Sequence, residues 1–211
     1  MDYALRNSWS AQRFSNEELA AMHIDLQTGY CAKSTSRNTA QATKTAGQFS
    51  SELRELQIPN YFVAAAFHDQ MFSYADFKKY LDSRESKNSM NVFGNFETEL
   101  GLQDQDVVIT KTSASVTGNQ QALRTLKDNG IRGIFLTGIF YDACFYYSAL
   151  GLIREGFYVS ACLDATDCLE KNRDEFSRGF STAGEIIAPG KLHVTTTAHV
   201  LSERRMHCER S

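Results

Sequence analysis

The chain has 211 residues, 42% of them apolar, and 22 Lys and Arg face 25 Asp and Glu for a formal net charge of -3. That length suits one ordinary domain with a sizeable core, and the charge balance leaves no basic footprint for nucleic acid, since short basic groups such as Glu203-Arg204-Arg205 are interrupted by acids. No apolar run approaches the roughly 20 residues of a membrane span, and Asp2, Arg6 and Asn7 break any signal-peptide core, so a cytoplasmic protein without membrane contact is expected.

Residues 1–18 read as a polar lead-in, 19–203 as the folded domain and 204–211 as a C-terminal tail. The first strand is Ala20-Ala21-Met22-His23-Ile24-Asp25. A polar stretch over 31–43 follows, then Phe49, Leu53 and Leu56 recur at helical spacing until Ile58-Pro59-Asn60 ends the helix. Tyr61 to Phe67 is a continuous apolar run of the kind parallel sheets bury, Tyr74 to Leu81 a short helix, and 83–101 a long polar loop of the sort that forms lids. Asp106 to Lys111 is the third strand. The next helix, with Ala122, Leu123 and Leu126 on its apolar face, stops at Asp128-Asn129-Gly130, where glycine supplies the left-handed conformation. Ile131 to Thr137 is the fourth strand, followed by a helix from about Ala143 to Arg154. Phe157 to Leu163 is the fifth strand, Asp164-Ala165-Thr166-Asp167 opens a loop, Arg173 to Ile187 is helical, and Lys191 to Thr195 is the sixth strand. Such alternation predicts an α/β fold, a three-layer α/β/α sandwich around a six-stranded parallel, Rossmann-like sheet.

In an open parallel sheet the C-terminal ends of the strands converge on one crevice, which makes Asp25, Lys111 and Cys144 neighbours despite their separation in sequence. Cys144 follows Gly138-Ile139-Phe140-Tyr141-Asp142-Ala143 at the start of a helix, whose free N–H groups are expected to favour thiolate over thiol. The other cysteines, Cys31, Cys162, Cys168 and Cys208, form no CxxC pair or disulfide framework. Asp25-Leu26-Gln27-Thr28-Gly29 offers one glycine where a dinucleotide site needs GxGxxG. Gly184 to Lys191 has one residue too many for a phosphate loop, and no GxSxG is present. No cofactor is expected, and sulfur is the expected nucleophile.

With those residues in view the chain resembles the isochorismatase-like cysteine hydrolase superfamily, over about residues 19 to 203. The matching pieces are Asp25-Leu26-Gln27 with Tyr30, Val108-Ile109-Thr110-Lys111 with Ser113-Ala114 and Gly118, and Thr137-Gly138-Ile139 leading to Asp142-Ala143-Cys144. Asp164-Ala165-Thr166 and Val194-Thr195-Thr196 with Val200-Leu201 complete the series. The resemblance implies a catalytic set of Asp25, Lys111 and Cys144, a cis peptide at Ile139-Phe140, an oxyanion hole from the N–H groups of Phe140 and Cys144, and a homo-oligomer, dimer or tetramer. It implies hydrolysis of a C–N bond in a small amide or carbamoyl compound through a thioester, with Gln27, His68, Phe140 and Tyr141 toward the substrate. No metal is expected: the family's nicotinamidases use Asp-x-His after the second strand, whereas here Phe67-His68-Asp69 stands without another His until His193. Two alternatives stay open. Phe140, aromatic as in true isochorismatases, favours vinyl ether hydrolysis with Asp25 as acid, and the fold could serve as a binding or scaffold protein without turnover.

Overall fold

The computed structural model describes residues 13–32, 38–66, 68–82, 94–168 and 170–208. Its strands are β1 (Leu19–Ile24), β2 (Asn60–Ala65), β3 (Gln70–Ser73), β4 (Val107–Lys111), β5 (Gly133–Gly138), β6 (Tyr158–Thr166) and β7 (Leu192–Thr195). Its helices are α1 (Thr28–Cys31), α2 (Thr39–Glu55), α3 (Tyr74–Asp82), α4 (Gln120–Asp128), α5 (Cys144–Arg154), α6 (Glu170–Ile187) and α7 (Thr197–Cys208). The sheet order is β3-β4-β2-β1-β5-β6-β7, with every pairing parallel except β3 against β4.

All residues of β1, β2 and β5 are buried, as strands covered by helices on both faces must be. On one face α2 sets Ala42, Ala46, Phe49 and Leu53 at helical spacing. Most of that stripe packs with Phe77 of α3 and Val200 and Leu201 of α7. On the other face α4, α5 and α6 contribute Leu123, Leu126, Phe145, Leu152 and Phe180. The result is the three-layer sandwich anticipated from the alternation of elements.

Three boundaries differ from the sequence reading. The sheet has seven strands, not six: β3 is a four-residue antiparallel edge, exposed at Gln70 and half-buried elsewhere, and so lacks a buried strand's apolar run. Strand β6 continues to Thr166 where a loop was expected from Asp164. Leu136 lies opposite Ala161 but Gly138 opposite Thr166, so a bulge absorbs the intervening residues. The boundary at residue 203 falls inside α7. Arg204 is wholly buried there, donating to the carbonyl of Phe14 at 2.8 Å and to Asn16 Oδ1, which ties the end of the lead-in to the core. Polar side chains nearly all round α7 gave no amphipathic signal by which to read it.

The chain lays down β1, β2 and β4 toward one edge and β5, β6 and β7 toward the other, so strand order reverses between β1 and β5. A crevice opens at such a switch point, outside the strand C-termini. Gly138 permits the close approach there: its φ is +120°, and a Cβ would lie 2.2 Å from the carbonyl oxygen of Ile24.

Candidate active site

Three strand ends supply the polar groups of the crevice. Asp25 follows β1 with φ of +53°, a left-handed conformation uncommon outside glycine, held by its N–H donating to Val63 O at 2.9 Å and by Gln27 N–H donating back to its carbonyl at 2.7 Å. Lys111, the last residue of β4, reaches across the end of β2 to place Nζ 2.8 Å from Asp25 Oδ2, both side chains being 1% exposed. Its Nζ also donates to the carbonyl of Ser113 at 3.1 Å. Lys111 and the Cys144 thiol are polar neighbours of this buried carboxylate, which can accept the thiol proton.

The segment from β5 to α5 brings Cys144 to this pair. Ile139 N–H donates to Ile24 O at 2.8 Å, the Ile139-Phe140 peptide is cis, and Tyr141 N–H donates to Asp167 Oδ1 at 2.7 Å. Phe140 O accepts from Ala143 N–H at 3.0 Å and Phe145 N–H at 3.1 Å. Cys144 is the first residue of α5, and among the described residues its own N–H meets no acceptor. A helix N-terminus with an unused N–H favours negative charge in front of it.

Burial raises the Asp25 carboxyl above the ordinary carboxylate range, against the opposing pull of Lys111 and of hydrogen bonds from Lys111 and the Cys144 thiol. Burial also pushes that thiol up to about 12, with the Asp25 charge adding to the effect and Lys111 opposing it. Burial and the Asp25 charge thus oppose the thiolate that the N-terminus of α5 was expected to favour. The thiol lies against the group that can take its proton.

The residues expected to face substrate divide. Phe140 is half-buried and meets Tyr30 edge-on at 5.6 Å between ring centroids; Tyr141 is half-buried and meets Phe176 edge-on at 4.9 Å. Gln27 is wholly buried: Oε1 accepts from Ala65 N–H at 2.8 Å and Nε2 donates to Gly94 O at 3.0 Å. Its amide thus ties β2 and the 94–96 segment together and does not turn to substrate, a correction that follows from burial of both polar ends. His68 is exposed, with its carbonyl accepting from Thr110 Oγ1 at 2.7 Å, and it does not share the burial of the Asp25, Lys111 and Cys144 group. Of the long loop, 83–93 lie outside the described residues, while 94–96 are pinned beside Gln27 through a bridge to Phe96.

Tyr30 packs against the core and Phe140, and burial with the charges of Asp25 and Cys144 raises its phenol above the ordinary range, which sets it beside the same group. The signal available was its place one helical turn past Gln27. Asp164, part of the matched motif, instead caps α7 by accepting from Thr197 N–H at 2.9 Å and Thr197 Oγ1 at 2.7 Å. Among the described residues no three His, Cys, Asp or Glu side chains gather as metal ligands, and no helix is long and apolar enough to cross a membrane.

The family model of the isochorismatase domain matches residues 20–182, a span that includes all three converging side chains. The chain belongs to the isochorismatase domain family. No curated protein sequence matches it significantly. Among solved structures, an isochorismatase family protein of Burkholderia thailandensis is 19% identical, with 90% of this chain and 96% of that one covered at a TM-score of 0.67. The YcaC gene product of Escherichia coli, an octameric hydrolase of unknown specificity, is 17% identical over 94% and 84% of the two chains, with a TM-score of 0.68. N-carbamoylsarcosine amidase of Thermoplasma acidophilum is 16% identical over 85% and 96%, with a TM-score of 0.61. At such identities the shared feature is the fold.

Proposed function

We propose that this family member is a cysteine hydrolase that cleaves the C–N bond of a small amide or carbamoyl compound. The observation that carries the reading is the contact of the Cys144 thiol with the buried Asp25 carboxylate beside Lys111, at the switch point of the sheet. Asp25 takes the thiol proton and sulfur attacks the carbonyl carbon, forming the C–S bond as the carbonyl π electrons move to oxygen. The unused Cys144 N–H receives that oxyanion, with the Phe140 N–H assigned beside it by family resemblance. Collapse breaks the C–N bond, and the leaving nitrogen takes the proton back from Asp25. Asp25 then deprotonates water, which hydrolyses the thioester and regenerates the thiol. Lys111 keeps the carboxylate charged enough to serve as base despite its burial. The fold shared with N-carbamoylsarcosine amidase supports C–N cleavage, and the octameric assembly of the YcaC product supports an oligomer.

A second reading, vinyl ether hydrolysis with Asp25 as acid, is favoured by the raised Asp25 carboxyl, which holds a proton more readily than an exposed aspartate. One experiment separates the two: ammonia release from a panel of small amides and carbamoyl compounds, measured beside loss of isochorismate, for wild type and Cys144→Ala. The cysteine mechanism expects ammonia release in the wild type and none in the variant. Ammonia release that survives Cys144→Ala overturns it, and isochorismate loss that survives it promotes the acid mechanism. A folded protein that turns over neither class favours a binding role.

A further inference from the structure

The cysteine mechanism uses Asp25, Lys111 and Cys144 but leaves one buried carboxylate beside the site without a part. Asp167 is 0% exposed and stands one residue past β6. Its position depends on the β6 bulge: Gly138 pairs with Thr166 only because residues between Ala161 and Thr166 are carried out of register, and Thr166 Oγ1 closes that bulge by donating to Leu163 O at 3.0 Å. An unbulged β6 would carry position 167 past the turn after β5. With the bulge, Asp167 Oδ1 meets the Tyr141 N–H at 2.7 Å, while its carbonyl accepts from Asn38 N–H at 3.4 Å at the start of α2.

The segment from Ile139 to Cys144 is thereby fixed to both neighbours of β5. Ile139 N–H binds β1 through Ile24 O, and Tyr141 N–H binds the end of β6 through a carboxylate, the stronger kind of acceptor. Between these anchors Phe140 O turns to the N–H groups of Ala143 and Phe145, which passes over Cys144 and leaves that N–H unused. We propose that Asp167 is a positioning residue for the nucleophile: its buried carboxylate holds the 140–144 turn so that the Cys144 N–H faces the reacting carbonyl oxygen. This rests on the reading of Cys144 as nucleophile.

Two alkylating probes test it without a known substrate. In acrylamide addition sulfur bonds to the β-carbon, the alkene electrons move so that negative charge builds on the amide oxygen, and the thiol proton passes by way of Asp25 to the α-carbon. In iodoacetamide alkylation sulfur bonds to carbon as iodide leaves and the proton passes to solvent, with no charge built on the carbonyl oxygen. The ratio of the two Cys144 rates, read by peptide mass spectrometry, therefore reports the oxyanion donor separately from access to sulfur. Asp167→Ala is expected to lower the acrylamide to iodoacetamide ratio about tenfold or more, and Asp167→Asn, which keeps an oxygen acceptor, to hold it within about threefold of wild type. An unchanged ratio in Asp167→Ala overturns the proposal, as does a fall in both rates together or an Asn variant as poor as Ala. Should the Ala variant not fold, hydrogen exchange in the wild type decides. The Tyr141 amide is expected to be protected at least about 1000-fold, and exchange at the unstructured rate overturns the proposal. Alkylation needs no turnover, so a failure to hydrolyse any amide counts against the hydrolase reading and leaves the ratio to judge Asp167.

Discussion

His23 and Asp25 stand two residues apart at the end of the same strand, and both are wholly buried, yet they do opposite things. His23 has a partner for each ring nitrogen, Thr137 Oγ1 at 2.7 Å from Nδ1 and Asn60 Oδ1 at 2.9 Å from Nε2, and Asn60 in turn donates to Ser50 O and Ile58 O. That arrangement suits a neutral imidazole with its proton on Nε2, and burial lowers its pKa to about 4. Asp25 has one close cation and a thiol against it. A buried polar group with its bonds complete knits β1, β2 and β5 together. One held against a thiol can exchange a proton with it.

The largest effect that could break this contrast is on turnover. Asp25→Asn is expected to lower amide hydrolysis at least about 1000-fold, because it removes the base held against the thiol, whereas His23→Leu is expected to keep kcat within about fivefold once folded. Steady-state kinetics on the best amide of the panel checks both. Equal losses would make His23 part of the chemistry and dissolve the distinction.

Acid should reveal His23 next. Its folded pKa near 4 lies below the ordinary 6.5, so between those values the unfolded chain binds the proton first. Stability is then full above about pH 6.5 and falls as pH drops toward 4, by about 3 kcal/mol from this group. Urea unfolding across that range measures the slope, and His23→Leu should flatten it. At neutral pH the same variant should cost about 2 kcal/mol, since it strands Thr137 and Asn60 in the core. The smallest effect belongs to charges that face water. Lys127 and Glu155 pair at 2.8 Å with side chains 48% and 39% exposed. Lys127→Ala should change stability by less than about 0.5 kcal/mol, in contrast to the buried pair of the site.

Much of the architecture was legible in the chain because apolar runs such as Tyr61 to Ala65 and stripes such as Leu123 and Leu126 have only one way to be buried. The strand ends that carry Asp25, Lys111 and Cys144 were legible for the same reason. The edge strand β3 was not, since a four-residue half-exposed edge has no distinctive period, and neither was α7, where buried Arg204 hides among polar neighbours. Gln27 was assigned toward the substrate, and its buried amide corrects that. A glutamine next to a candidate base reads as polar and available, and only the backbone of Ala65 and Gly94 shows that its amide is taken.

By itself, then, the amino-acid order determined the layered fold and which side chains lie at the functional edge of the sheet, because hydrophobic period and strand direction are local properties of the chain. Tertiary structure alone decided the surroundings of the Cys144 thiol and the service of Asp167. A thiol at a helix N-terminus, taken locally, should ionise readily. The enclosed site raises it to about 12 because desolvation and the Asp25 charge act through space, from β1 and from the surrounding core. Likewise nothing near Asp167 in sequence points to Tyr141. The register slip between β5 and β6 brings the two together, and register is a property of paired strands that neither strand carries alone.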